Sequence, residues 1–283
     1  MRPRADVPRP VERTSEVAGP GGPIPVVEQG PESGPAGAAA TVLIVHGGTG
    51  DLTAWAAVAD RLGSRFRVLR YTRPTYRWRP APRGTAAVRA EVADAAAVAR
   101  SVGEPVLLVG HSSGAVVALE TALAEPDLFT GLALYEPPLD VTHTPAAAEA
   151  LVRARAAVDA GHPMAAMRIH LLDFVAMPRR VVWPITLLPP VRNYFASYAD
   201  GQIADNEMLD ALPAGFDRFG GLDLRVLLIT GDKSPTHLRH RSDRLAAALS
   251  GPVERVELAG QGHGANRGAP DALAAAIASF ASR

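Results

Sequence analysis

The 283-residue sequence contains no cysteine, which excludes disulfides, thiolate nucleophiles and cysteine-ligated metals from its chemistry. Charge of either sign is not in excess: Lys plus Arg and Asp plus Glu both number 29, for a formal net charge of zero. No polyanion-binding surface follows from that balance, so nucleic acid is not an expected partner. No apolar run approaches the length of a membrane-crossing helix, and no membrane partner is expected. The opening MRPRADVPRP carries positive charge without the apolar segment of a secretory signal. A cytoplasmic location is therefore the expectation. What is present is ordinary for a globular chain: 47% hydrophobic and 20% charged residues, enough for a sizeable core in one large or two small domains.

Residues 1–13 are expected to be a disordered tail, being rich in Pro and Arg without apolar periodicity. Thr14–Ala18 and Ile24–Glu28 flank a Gly/Pro turn and fit an antiparallel hairpin. From residue 41 the chain alternates. Strand-like runs at 41–45, 66–71, 105–109 and 132–135 are separated by helical patterns at 53–62 and 85–102 and by another after residue 114. That alternation implies an α/β fold with a parallel sheet covered on both faces. It breaks over residues 141–221, where helix-like stretches (145–160, 163–176, 192–210) are interrupted by MPRR, WPITLLPP and LPAGF. It resumes with strands at 224–230 and 253–258 and helices at 236–249 and 270–282. The expected organisation is an α/β core from 14–140 and 222–283, with 141–221 as a helical cap over the sheet's C-terminal edge, where clefts of open α/β sheets lie.

The run PVLLV at 105–109 ends in Gly110-His111-Ser112-Ser113-Gly114. This fits the Gly-x-Ser-x-Gly nucleophile elbow, in which a strained strand-to-helix turn exposes a serine. A strand before the pentapeptide and an alanine-rich helix after it supply the context that a bare pattern lacks. A serine hydroxyl needs a base, and the base an orienting anion. Of the eight histidines, His263 alone lies in a glycine-flanked loop directly after the last strand. His143, His162 and His170 are expected to line or flank the cap. His237 and His240 read as solvated surface residues, not as a metal pair, and His111 as packed beneath the turn.

Two positions compete for the acid. Glu136 follows the LALY strand and is fixed by Pro137 and Pro138, at a strand end beside the elbow. Asp232 lies in Gly231-Asp232-Lys233-Ser234-Pro235, two residues before a position where similar folds carry an aspartate and this chain has Ser234. Developing negative charge needs N–H donors; Ser113 at the helix start supplies one, and Gly48 in the loop His46-Gly47-Gly48-Thr49-Gly50-Asp51 is the second candidate. That loop lacks the Lys-Ser/Thr pair of a phosphate loop and the dinucleotide spacing, so neither cofactor nor metal is expected.

With His46–Gly48, Gly110–Gly114, Leu134–Pro138, Gly231–Pro235 and Gly260–His263, the chain resembles the α/β-hydrolase superfamily over residues 14–282. More narrowly it is similar to bacterial single-domain serine hydrolases with HGG, GHSSG, LYEPP and GQGH segments. The resemblance implies an eight-stranded, mostly parallel sheet, a helical cap inserted after strand 6, and Glu136 as the acid. It also implies hydrolysis of an ester or related acyl bond in a small apolar or amphipathic substrate through a Ser112 acyl-enzyme. The same machinery serves carbon–carbon hydrolysis, thioesterase or cyclase steps and cofactor-free perhydrolysis, and the fold also suits a non-catalytic small-molecule binder. Met164, Met167, Leu171, Phe174, Trp183, Tyr194, Phe195 and Tyr198 are the cap side chains expected at an apolar pocket. Relatives carry an Asp-x-x-Gly-x-Gly-x-Ser turn after the second strand of the alternating run. Here Thr72–Arg79 replaces it, which implies an altered pocket or a lost turn.

Overall fold

The computed structural model describes residues 10–31 and 39–283. The expected tail lies outside the described residues as far as position 9, whereas Val11–Arg13 are paired in a strand. Strands β1 (Val11–Gly19) and β2 (Gly22–Gly30) form an antiparallel hairpin in which Gly19 faces Gly22 across a two-residue turn. Six further strands follow: β3 (Thr41–Val45), β4 (Arg67–Tyr71), β5 (Val106–His111), β6 (Phe129–Tyr135), β7 (Val226–Gly231) and β8 (Val253–Leu258). They run parallel to one another, and β2 joins β4 antiparallel, giving the order β1-β2-β4-β3-β5-β6-β7-β8. The sheet is thus eight-stranded and mostly parallel.

Helices α1 (Ala56–Leu62), α2 (Pro74–Arg77), α3 (Gly84–Arg100) and α4 (Ser113–Ala124) link the first parallel strands. Between β6 and β7 lie α5 (Pro145–Asp159), α6 (Pro163–Ile169), α7 (Arg179–Leu187) and α8 (Pro189–Asp210), and α9 (Thr236–Ala248), α10 (Ala265–Gly268) and α11 (Pro270–Ala281) complete the chain. The continuous apolar strands follow from this layering. In β3, Leu43 and Val45 pack into the core with α3 and α4, while Val42 and Ile44 face the core with α1 and α11. A strand buried on both faces reads as a near-continuous apolar run rather than an alternating one.

The helices between β6 and β7 have a small core of their own, in which Ala147, Ala150, Leu151 and Ala154 of α5 meet Ala166, Phe174 and Ile203. Thr144 caps α5, its hydroxyl accepting from the Ala147 N–H at 3.2 Å, and Pro145 sits at the first helical position, where its missing N–H costs nothing. One sequence expectation fails here. The MPRR and WPITLLPP interruptions largely form α7, with Pro184 in its interior. Val182 and Thr186, four residues apart, are buried on the inner face; that anchoring offsets the single helical bond the proline removes. Pro189 and Pro190 then start α8.

Candidate active site

The elbow is built by contact. A Cβ on Gly114 would lie 2.3 Å from the His46 carbonyl oxygen, and one on Gly110 2.5 Å from the Ala115 Cα, so neither position admits a side chain. Between them Ser112 holds φ 53° and ψ −128°, a conformation that L residues rarely adopt. Its N–H donates to the Tyr135 carbonyl at 2.9 Å, tying the turn to the end of β6.

One residue beyond that carbonyl is Glu136, fully buried and with φ 50°. Its Oε2 lies 2.6 Å from His263 Nδ1, and its Oε1 accepts the Gly231 N–H at 2.8 Å. The end of β7 therefore gives the carboxylate a donor, and the structure brings His263 to Glu136, not to Asp232. Asp232 Oδ1 is buried without a hydrogen-bond partner, and the Asp232 N–H bonds Leu258 O at 3.3 Å. His263 is held from below. His111 stacks on Tyr135, centroids 4.9 Å apart and 15° between planes, and its Nε2–H donates to the His263 carbonyl at 3.0 Å. Burial, then the nearby His263, push the His111 pKa well below its usual value, so the ring stays neutral and keeps the tautomer this bond needs. The Tyr135 hydroxyl donates to the Gly262 carbonyl and accepts the Ala265 N–H at 3.3 Å, clamping the loop from both sides.

Ser112, Ser113, Gly48 and His263 line one cavity of about 420 Å³. Among the described residues, neither the Gly48 N–H nor the Ser113 N–H donates to another protein group. Of the expected apolar residues, Met167, Leu171, Phe174, Tyr194 and Phe195 line this cavity. Trp183 is 50% exposed on α7 instead, and Met164 and Tyr198 are not in the lining; the Tyr198 hydroxyl donates to Asp51 at 2.8 Å. His237 corrects another expectation, because the first turn of α9 faces inward and the ring lines the cavity. Among the described residues, no group of three or more His, Asp or Glu side chains is arranged to hold a metal ion.

The segment 72–79 makes a connection that sequence reasoning missed. Arg73 is fully buried and ties four parts of the chain together. Its guanidinium donates to Glu91 of α3 at 2.9 Å, to Asp205 of α8 at 2.6 Å and to the Ser113 hydroxyl of α4 at 3.0 Å. The Ser113 and Tyr76 hydroxyls both donate to Asp205 as well. Burial alone opposes the Arg73 charge, but Asp205 and Glu91 outweigh it and raise its pKa well above the usual value. One signal was available: Ala87, Glu91, Asp94 and Val98 follow helical spacing on the buried side of α3, and an acid at such a position requires a partner.

His46 belongs to the same cluster. Its Nδ1–H donates to the Gly47 carbonyl at 2.8 Å, and its Nε2 accepts the Arg73 N–H at 3.1 Å, an arrangement open only to the neutral ring. Burial, then the Arg73 charge, lower its pKa from 6.5 to about 4. As pH falls the unfolded chain takes up this proton first. The group's contribution is thus complete above pH 6.5 and lost between 6.5 and 4, by about 3 kcal/mol at pH 4. Denaturant unfolding at pH 7 and pH 4 should show a smaller acid loss in His46→Asn than in the wild type. An equal loss contradicts this assignment.

The model of the Alpha/beta hydrolase family matches residues 42–276. None of the curated proteins matches the sequence. Among solved structures, an alpha/beta hydrolase from Sphaerobacter thermophilus is similar with 25% identity and a TM-score of 0.73, covering 94% of this chain and 99% of that one. The enol-lactonase from Burkholderia xenovorans is similar with 20% identity and a TM-score of 0.72, over 95% and 100% of the two chains. A thermophilic esterase from Thermogutta terrifontis shares 20% identity over 95% and 97%, with a TM-score of 0.69. At these last identities the likeness is one of fold.

Proposed function

The chain belongs to the α/β hydrolase family, and from that premise we propose that it is a serine hydrolase of esters or related acyl compounds. The observation that carries this reading is the 2.6 Å contact between His263 Nδ1 and a fully buried carboxylate, Glu136, in a loop that shares a cavity with Ser112. With Nδ1 committed to Glu136, Nε2 is the nitrogen left to take the Ser112 proton as Oγ attacks the acyl carbon. Glu136 then stabilises the imidazolium. The Ser113 and Gly48 N–H groups receive the oxyanion, Ser113 with help from the α4 dipole. His263 returns the proton to the leaving group, and water, activated by the same nitrogen, releases the acyl group from Ser112. The apolar lining of Met167, Leu171, Phe174 and Phe195 suits a small apolar or amphipathic acyl chain.

A p-nitrophenyl ester series from acetate to octanoate tests the reading. The expected result is a burst of p-nitrophenol approaching one equivalent per chain, followed by slower steady release, the sign of an acyl-enzyme. No turnover of any member contradicts it.

A further inference from the structure

The cavity lining also contains a directed set of amides that the triad does not use. Gln202 and Asn206, one turn apart on α8, are buried, 5% and 2% exposed. The Gln202 Nε2 donates to Asn206 Oδ1 at 3.2 Å, and the Asn206 Nδ2 donates to His170 Nδ1 at 3.0 Å. A ring that accepts at Nδ1 carries its proton on Nε2. Phe174 stacks against that ring, centroids 6.1 Å apart and 25° between planes, fixing its plane as the amide fixes its tautomer.

The backbone contributes as well. The helix that begins as α6 widens into a π-helical turn over His170–Phe174. Such turns are uncommon, cost regular hydrogen bonding and cluster at functional sites because the added residue re-aims the side chains. Here the widened turn begins at His170, which lines the cavity together with Asn206 and Gln202. Among the described residues, no Asp or Glu lines this cavity. Burial pushes the His170 pKa down to about 4, so the donor form persists at neutral pH.

The geometry points to a second recognition subsite: His170, held by Asn206, presents a fixed N–H donor to a carbonyl-type oxygen elsewhere on the acyl substrate than the scissile group. The preferred class is therefore an oxo-acyl or carboxy-acyl compound rather than a plain fatty acyl ester. This inference rests on the serine hydrolase reading for its kinetic arm only.

The test uses p-nitrophenyl esters with a keto oxygen placed at successive positions of the acyl chain, each against its all-methylene counterpart, together with half-ester dicarboxylates. Wild-type protein should favour at least one oxo or carboxy member over its plain counterpart by about tenfold in kcat/KM, the effect of one well-made hydrogen bond. In His170→Phe, which keeps a ring against Phe174, that ratio should fall to about one. Asn206→Leu, which frees the ring to rotate, should give an intermediate ratio and carries the test if His170→Phe does not fold. The free acids, titrated calorimetrically into Ser112→Ala protein, make the same comparison in Kd without turnover. If no ester is turned over, the hydrolase reading fails and the binding arm alone decides the subsite. No preference at any position in the wild type, or a ratio unchanged in His170→Phe, overturns the proposal.

Discussion

Glu136→Gln is expected to lower kcat by about four orders of magnitude, the loss seen when the orienting acid of a triad becomes an amide. The local bonds explain the direction. Gly231 N–H donates to one side-chain oxygen of Glu136, so a glutamine would place its carbonyl oxygen there and turn its NH2 toward His263 Nδ1. The ring would then accept at Nδ1 and carry its proton on Nε2, where it can no longer take one from Ser112. Asp232→Asn, on a side chain whose Oδ1 is buried without a hydrogen-bond partner, should stay within a few-fold of the wild type. Steady-state kinetics on the two variants decide the matter. If Asp232→Asn abolishes turnover while Glu136→Gln does not, the acid is Asp232.

The second large effect is expected at Arg73. Arg73→Met leaves Glu91 and Asp205, both buried, without their cation. Removing one partner of a buried ion pair costs about 3–5 kcal/mol, which for a chain of this size corresponds to a fall in Tm on the order of 10 °C. Activity should suffer separately. The Ser113 side chain is fixed by Arg73 and Asp205, and the Ser113 N–H is a proposed oxyanion donor. Misplacing such a donor lowers kcat on the order of 10²-fold with KM little changed. Calorimetric melting and kinetics below the variant's Tm read the two effects apart. An unchanged Tm would mean that the cluster contributes nothing to the fold.

What could be read from the sequence were features set by near neighbours in the chain. The elbow needs small residues within five positions, and its contacts with the His46 carbonyl explain why. Glu136 was legible as a candidate because a strand end and two prolines fix it locally. The resemblance favours it over Asp232, and the contact that supports that choice spans 127 residues, which no local pattern encodes. The segment 72–79 was visible only as a departure from its relatives, since the partners of Arg73 lie 18, 40 and 132 residues away. Helix α7 was hidden because its proline outweighed the burial of Val182 and Thr186, a tertiary effect. His237 was misplaced for a similar reason: helical spacing does not tell which face of α9 meets the cavity.

The central claim is that Ser112 is a nucleophile activated by His263. Its most direct measurement is incubation with a fluorophosphonate, followed by mass spectrometry of the intact chain and of its peptides. The account predicts one adduct per chain, carried by Ser112, absent in Ser112→Ala and formed orders of magnitude more slowly in His263→Ala. An unlabelled wild type, or an adduct that persists in Ser112→Ala, would contradict it.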